Sequence, residues 1–367
     1  MVTRRAFVKA SVAAMAISQS LLAQEPAVSI RSAAQSRGLL GGCAVSTHAL
    51  RRDDAYKALI QAQAGIIVAE SEFKFGPLRP TPTTYFFDDA DYLLAFAEAN
   101  QMKLRGHNFV WHRQLPTWFS SYVTKENAKQ VLVDHIETVG GRYRAKIHSW
   151  DVVNEAIYPK DGLPGGVRNS PWQQVLGGDG PVPEYIEVAY RTARRVDPKA
   201  LLVYNDYGIE AEDAESATKR ADVLALLRAM QARKIPLDGL GVQSHIQAGG
   251  SAVYGEGLMK LIAEVRAMGL KVLVTEMDVN DRKLPPPIPE RDAAVAAVYA
   301  SYLKMVLQDP AIIAVLTWGI TDKYTWLNGE DSREDKLPER PLPFDAAMQP
   351  VPAFYAEVKA LAGAPSR

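Results

Sequence analysis

Eight short apolar segments, each followed by a longer stretch of helical period, run through this chain from Leu40 onward. That alternation constrains the fold more than any other feature of the sequence. The apolar segments are 42–45, 66–70, 103–111, 147–154, 201–205, 240–245, 272–278 and 314–318, and each reads as a strand. Helix-period stretches lie between them, among them 89–100, 126–143, 185–196, 216–233, 258–268 and 291–307. Strands alternating with helices build βαβ units and a parallel sheet. Eight units are the count of a closed (β/α)8 TIM barrel. An open doubly wound sheet is the alternative, but no Gly-rich phosphate turn follows the first strand. The expected organisation is one α/β domain over residues 38–362, with residues 24–37 as a lead-in.

Composition narrows the function classes. Lys and Arg together number 42, as do Asp and Glu, so no basic footprint for nucleic acid or an acidic membrane is present. The single cysteine, Cys43, excludes an intrachain disulfide and a Cys-based metal cage, and it reads as a small buried apolar side chain.

The first residues read as targeting rather than fold. Arg4-Arg5-Ala6-Phe7 and Lys9 precede an apolar run over residues 10–23 that is too short for a bilayer span of about 20 residues. The pattern resembles a twin-arginine export signal, with a small-residue cleavage point at Ala23. Residues 1–23 are therefore expected to be removed, and the protein to be periplasmic or secreted. Their loss, which takes Arg4, Arg5 and Lys9 and no acid, leaves the chain about three charges negative.

The long Pro/Gly-rich segments 159–183 and 284–289 follow the fourth and seventh strands, whereas the segments leading into strands are short. Loops after strands form the C-terminal face of a barrel, where barrel active sites sit. Polar and aromatic residues gather at those same strand ends. Strand two ends in Glu70, and strand three carries His107, Trp111 and His112. Strand four ends in Asn154-Glu155, and strand five in Asn205-Asp206-Tyr207. Strand six carries Gln243 and His245, strand seven Glu276 and Asp278, and strand eight Trp318.

Alternation along a strand puts Gln243 with His245, Glu276 with Asp278, and His107 with Trp111. His112 then falls on the opposite face, as a packing or hydrogen-bonding neighbour. Asn154 and Glu155 have opposite parity, and both line the site only if the strand ends or bulges there.

Glu155 and Glu276 carry the chemical reading. Glycoside hydrolysis needs two carboxyls flanking the bond, one protonated to serve the leaving oxygen and one ionised to attack the anomeric carbon. Strand-end glutamates also serve structure or metals. Here the company is amides and tryptophans, whose flat faces suit the C–H face of a pyranose. Trp118 and Trp150 read as packing and Trp172 as a loop anchor. The charged run 330–340 reads as a solvated loop face.

At these residues the chain resembles glycoside hydrolase family 10, the retaining endo-β-1,4-xylanases, over most of residues 38–360. The strings that carry the resemblance are Arg105-Gly106-His107-Asn108-Phe109-Val110-Trp111-His112, Trp150-Asp151-Val152-Val153-Asn154-Glu155 and Tyr204-Asn205-Asp206-Tyr207. They continue in Gly241-Val242-Gln243-Ser244-His245, Val274-Thr275-Glu276-Met277-Asp278 and Thr317-Trp318-Gly319-Ile320-Thr321-Asp322-Lys323.

The resemblance implies that Glu155 is the acid/base and Glu276 the nucleophile. It implies Asn154 at the sugar 2-hydroxyl, with His107, Trp111, Gln243 and His245 lining the −1 subsite and Asp278 supporting His245. Trp318 and Trp326 become an aromatic wall, and Glu70 with Lys74 holds the −2 sugar. The implied substrate is xylan or a xylo-oligosaccharide, with no metal or organic cofactor, no nucleic acid and no membrane partner, and a monomer is the working expectation.

The second strand departs from the family pattern. The family has Glu-Asn followed by Lys-Trp, where this chain has Glu70-Ser71 and Lys74-Phe75. Ser71 presents less hydrogen-bonding capacity than Asn and Phe75 lacks an indole donor, which leaves the −2 subsite in question. Another plant β-glycan or glycoside as substrate is the alternative, followed by a non-catalytic sugar-binding barrel. Neither end of the chain is expected to hold a separate carbohydrate-binding unit.

Overall fold

The computed structural model describes residues 28–329 and 332–367. The export stretch and its cleavage point lie outside those residues, as do Glu330 and Asp331 of the charged run. Eight parallel strands form the barrel: β1 (Leu40–Val45), β2 (Ile66–Ala69), β3 (Lys103–Val110), β4 (Ser149–Asn154), β5 (Leu201–Asp206), β6 (Gly239–Val242), β7 (Lys271–Asn280) and β8 (Ile312–Thr317). Each pairs with the next, and β8 returns to β1 through Leu40↔Ala314 to Cys43↔Thr317, which closes the sheet. The expected (β/α)8 barrel is the observed fold.

The strands build two cores. Ala44, Ile66, Val68, Val203, Leu273, Ala314 and Leu316 fill the barrel interior. The outward faces of the strands bury against the surrounding helices, including Ala128–Arg142, Glu184–Val196 and Ile288–Val306. Glu184–Val196 shows the local logic. Pro183 precedes it, Glu184 and Glu187 occupy the first turn and Arg194 and Arg195 the last, so its charges oppose the helix dipole. Its Ile186, Ala189, Tyr190 and Ala193 face the core. Helix Ile30–Gln35, inside the stretch expected as a lead-in, buries Ile30, Ala33 and Ala34 against the domain. Among the described residues no helix is long and apolar enough to cross a membrane.

The sixth strand differs from expectation. Instead of running through to His245, β6 stops at Val242, and a separate segment His245–Gln247 pairs with Asp278–Asn280 of β7. Ser244 sits between them at φ +63, with its N–H donated to Glu210 Oε1 (2.8 Å) rather than to a ladder. The charged run is also not a solvated face throughout. Arg333 is buried, donating to the carbonyls of Asp281 (2.6 Å) and Leu284 (2.9 Å), and Glu339 is fully buried. Cys43 and Trp150 are fully buried, as packing residues should be, and Trp172, read as a loop anchor, is fully buried in the short helix Pro171–Leu176 of the insert.

Candidate active site

Glu155 lies immediately beyond β4, with φ at +58. That left-handed turn settles the parity conflict: Asn154 closes the strand pointing into the barrel, and the reversal at Glu155 turns the next side chain to the same space. β4 is shifted in register against both neighbours just before this point. Arg168, from the Pro/Gly-rich insert, donates Nε to the Glu155 carbonyl at 2.7 Å, and its other end reaches the Tyr207 hydroxyl at 3.2 Å. Non-glycine residues hold a left-handed conformation at a cost, and a buried guanidinium on the carbonyl secures it here.

A network of amides connects the two glutamates. Asn205 Nδ2 donates to Glu276 Oε1 (2.7 Å) and to Asn154 Oδ1 (2.9 Å). Asn154 Nδ2 donates to Glu155 Oε1 (3.2 Å), and Gln243 Nε2 donates to both Asn154 Oδ1 and Glu155 Oε1 at 3.1 Å. Thr275 completes Asn205 by donating to its Oδ1 at 2.7 Å. Gly241 makes room for this arrangement, because a Cβ there would lie 2.2 Å from Asn205 Oδ1.

Glu276 is flanked by two histidines, each backed by an aspartate. His245 faces Glu276 Oε2 through Nε2 (3.3 Å) and Asp278 Oδ2 through Nδ1 (2.9 Å). On the other side, His107 Nδ1 stands 3.9 Å from Glu276 Oε1 and 2.9 Å from Asp151 Oδ2. Asp151 in turn pairs with the fully buried Arg105, which also donates to Ser149 Oγ at 3.0 Å. Both His245 nitrogens face carboxylates, so both can donate only when the ring is charged. Burial opposes that charge, yet Asp278 and Glu276 hold the His245 pKa well above its ordinary value.

Burial likewise drives the Glu276 carboxyl upward, but His107, His245 and the Asn205 amide outweigh it and hold the pKa at about 2. This makes Glu276 an anion throughout the physiological range. It also ties stability to pH. A carboxyl depressed from about 4.5 to about 2 on folding contributes stability that is complete above its unfolded pKa and disappears as pH falls through the folded one. Replacing Glu276 with Gln should therefore flatten the fall in melting temperature between pH 6 and pH 3. An acid limb identical to that of the parent would contradict this.

Aromatic and cationic groups complete the walls. Lys74 Nζ lies over the rings of Trp111 (4.8 Å) and Trp318 (5.7 Å). Burial lowers its pKa against the pull of Glu276, Glu70 and Glu155. Burial and the adjacent Glu72 raise Glu70 to about 7, against the pull of Lys74. Trp318 packs edge-on to His107 at 5.3 Å. Trp326 is 42% exposed and donates its indole N–H to Asp278 Oδ2 at 2.8 Å. It borders a cavity of about 500 Å³ that His245, Gln247, Tyr254 and Asp278 also line.

Asn154, Glu155, Gln243, His245, Glu276, Asp278 and Trp326 are thus linked contact by contact, with His107 beside Glu276, Trp318 packed on His107, and Lys74 over Trp111 and Trp318. His112 is a neighbour of the site: β3 ends at Val110, and His112 Nδ1 stands 3.7 Å from Glu155 Oε2. Burial, with Arg168, Arg113 and Lys219 nearby, lowers its pKa to about 3, so the ring beside Glu155 is neutral. One expectation is corrected at Phe75, which packs in the core rather than beside Lys74 in the site. It is buried, stacked on His135 at 3.9 Å and packed edge-on against Phe119 and Trp172. Sequence reasoning passed over Arg105, Asp151 and Arg168. The first two carried a signal, being charged residues at strand positions where Val, Ile or Leu is the norm.

Comparison with known proteins agrees with this arrangement. The profile of glycosyl hydrolase family 10 matches residues 29–360. Endo-1,4-beta-xylanase C of Paenibacillus barcinonensis is 33% identical over 338 residues, which are 86% of this chain and 30% of that protein. The thermostable celloxylanase of Thermoclostridium stercorarium is 36% identical over 325 residues, covering 82% of this chain and 80% of the relative. The crystal structure of xylanase 10B from Thermotoga petrophila RKU-1 in complex with xylobiose superposes with a TM-score of 0.82 at 32% identity, over 91% of this chain and 97% of that one. This chain accordingly spans less than a third of the Paenibacillus protein and most of the other two. The barrel, the paired glutamates and the profile over nearly the whole described chain agree: the protein belongs to glycosyl hydrolase family 10.

Proposed function

We propose that this protein is an endo-1,4-β-xylanase that cleaves internal bonds of xylan or xylo-oligosaccharides with retention. One observation carries the reading: Glu276 sits between His107 and His245 and is joined through Asn205 and Asn154 to Glu155.

In the first step Glu155 gives its proton to the glycosidic oxygen as Glu276 Oε attacks the anomeric carbon from the opposite face. The bond to the leaving sugar breaks and a glycosyl ester on Glu276 forms. In the second step water attacks that carbon, Glu155 takes the water proton, and the ester bond breaks to return Glu276 as the carboxylate. Asn154 Nδ2 has one hydrogen committed to Glu155, which leaves the other for the sugar 2-hydroxyl. His107, Gln243 and His245 surround the −1 sugar, Trp111, Trp318 and Trp326 offer it apolar faces, and Asp278 fixes His245. Glu70 and Lys74 hold the sugar beyond. Retention by this route places the two carboxyls about 5–5.5 Å apart, against about 6.5–9.5 Å for inversion.

Linear xylan tests the reading. Early products of two to four units, with free xylose appearing late, support internal cleavage. Turnover of cello-oligosaccharides without any on xylan would move the substrate to another β-glycan, a reading that the celloxylanase relative makes worth testing. Ser71 also gives a graded prediction. Ser71→Asn restores an amide where the family pattern has one, and a single added hydrogen bond should lower KM for xylohexaose roughly fivefold. An unchanged KM would remove Ser71 from substrate binding.

Export is proposed on the Arg4-Arg5 signal. Changing both arginines to lysine should retain the full-length chain in the cytoplasm, and continued export would exclude the twin-arginine route.

A further inference from the structure

Beyond Glu155 the chain runs into a hairpin that returns Arg168 to the glutamate's own backbone. Tyr158 donates its N–H to Gly166 O (2.7 Å), Ile157 bridges Val167 in antiparallel sense, and Arg168 donates its N–H to Ala156 O (2.7 Å). The turn between the two arms contains Gly162, Gly165 and Gly166 at φ +73, +69 and +66, a conformation that residues with a Cβ resist. Backbone pairing therefore sets the place of Arg168. From there its side chain reaches the preceding carbonyl, that of Glu155, through Nε at 2.7 Å.

The far end of the guanidinium is anchored as well. It donates to the Tyr207 hydroxyl at 3.2 Å and lies over the Tyr158 ring at 4.5 Å. Tyr207 is held in turn by Lys219, whose Nζ is 3.9 Å from its ring centroid and 2.7 Å from Asp206 Oδ1. Both Arg168 and Lys219 are buried. On the opposite side Glu155 donates its N–H to Asn205 O at 2.9 Å. The Glu155 backbone is thus gripped from β5 and from the insert, at a φ of +58 that a glutamate adopts only at a cost. At an extended φ its side chain would alternate away from that of Asn154. A buried carbonyl stripped of its donor favours such a relaxation.

We propose that Arg168 is a positioning residue for proton transfer at Glu155: it acts through the Glu155 backbone and holds the carboxyl where the leaving oxygen receives its proton. The inference rests on the reading of Glu155 as the acid/base residue.

Arg168→Met keeps the aliphatic stem and removes every donor. On xylohexaose kcat should fall about tenfold, the scale of one lost charge-assisted hydrogen bond, with KM within about twofold of the parent. On a dinitrophenyl xylobioside, whose leaving group needs no proton, kcat/KM reads glycosylation alone and should stay near the parental value. That rate also reports that the variant has folded. In a Glu155→Ala background the same substitution should cost nothing further in the residual kcat on xylohexaose, since the group it positions is gone.

A parental kcat on xylohexaose, an equal loss on both substrates, a raised KM in place of a lowered kcat, or a further tenfold loss in the Glu155→Ala background overturns the proposal. A parent protein that hydrolyses neither substrate removes the acid/base reading itself, which none of the other outcomes does.

Discussion

Glu276→Ala should lower kcat on xylohexaose by at least about 10⁴-fold, the scale seen when a covalent nucleophile is removed. The loss falls on chemistry rather than binding, because the walls formed by Trp111, Trp318 and Lys74 are untouched. Affinity for xylo-oligosaccharides should stay within a few-fold of the parent. The variant leaves His245 facing Asp278 alone and His107 facing Asp151 alone, so both rings keep their partners and their positions. Added azide should restore part of the rate by attacking from the vacated face, giving the glycosyl azide of inverted configuration. Turnover near the parental rate without azide would remove Glu276 from the reaction.

Glu155→Ala should separate substrates by leaving group. Loss of a general acid costs about 10²–10⁴-fold where the leaving oxygen needs a proton. Xylohexaose has such a leaving group; a dinitrophenyl xylobioside does not, since its phenolate departs unprotonated. Glycosylation of the enzyme by the aryl substrate should therefore continue nearly unimpaired. Hydrolysis of the ester intermediate, which needs Glu155 as base, should become limiting and appear as a burst of phenolate. Equal losses on both substrates would show that Glu155 is not the proton donor.

What the sequence made legible follows from periodicity and strand ends. Eight apolar segments were enough for the barrel, because a closed parallel sheet repeats one local pattern with few variations. Glu276, Asp278, Gln243 and His107 stood out for a related reason, as polar residues within or just after apolar runs. The failures lie where the chain leaves the regular ladder. β6 stops before His245 through a φ of +63 at Ser244, whereas the strand end that Asn154 and Glu155 required is present, with Glu155 at φ +58. Alternation cannot anticipate either turn. His112 lies past Val110, where β3 ends, so its place beside Glu155 comes from the loop rather than from strand alternation. Phe75 was read by analogy with a tryptophan in the family pattern, whereas its stacking on His135 is a tertiary contact between residues 60 positions apart. Arg168 comes from a loop whose path no local pattern specifies, and yet it holds the Glu155 backbone.

Proton NMR of the protein acting on β-1,4-xylohexaose tests the central claim most directly. The account predicts internal cleavage, with the β-anomeric proton of the new reducing end appearing first and the α signal growing only by mutarotation. An α-anomer appearing first would mean direct displacement by water and would contradict Glu276 as the nucleophile. No cleavage by the folded protein would contradict xylan as its substrate.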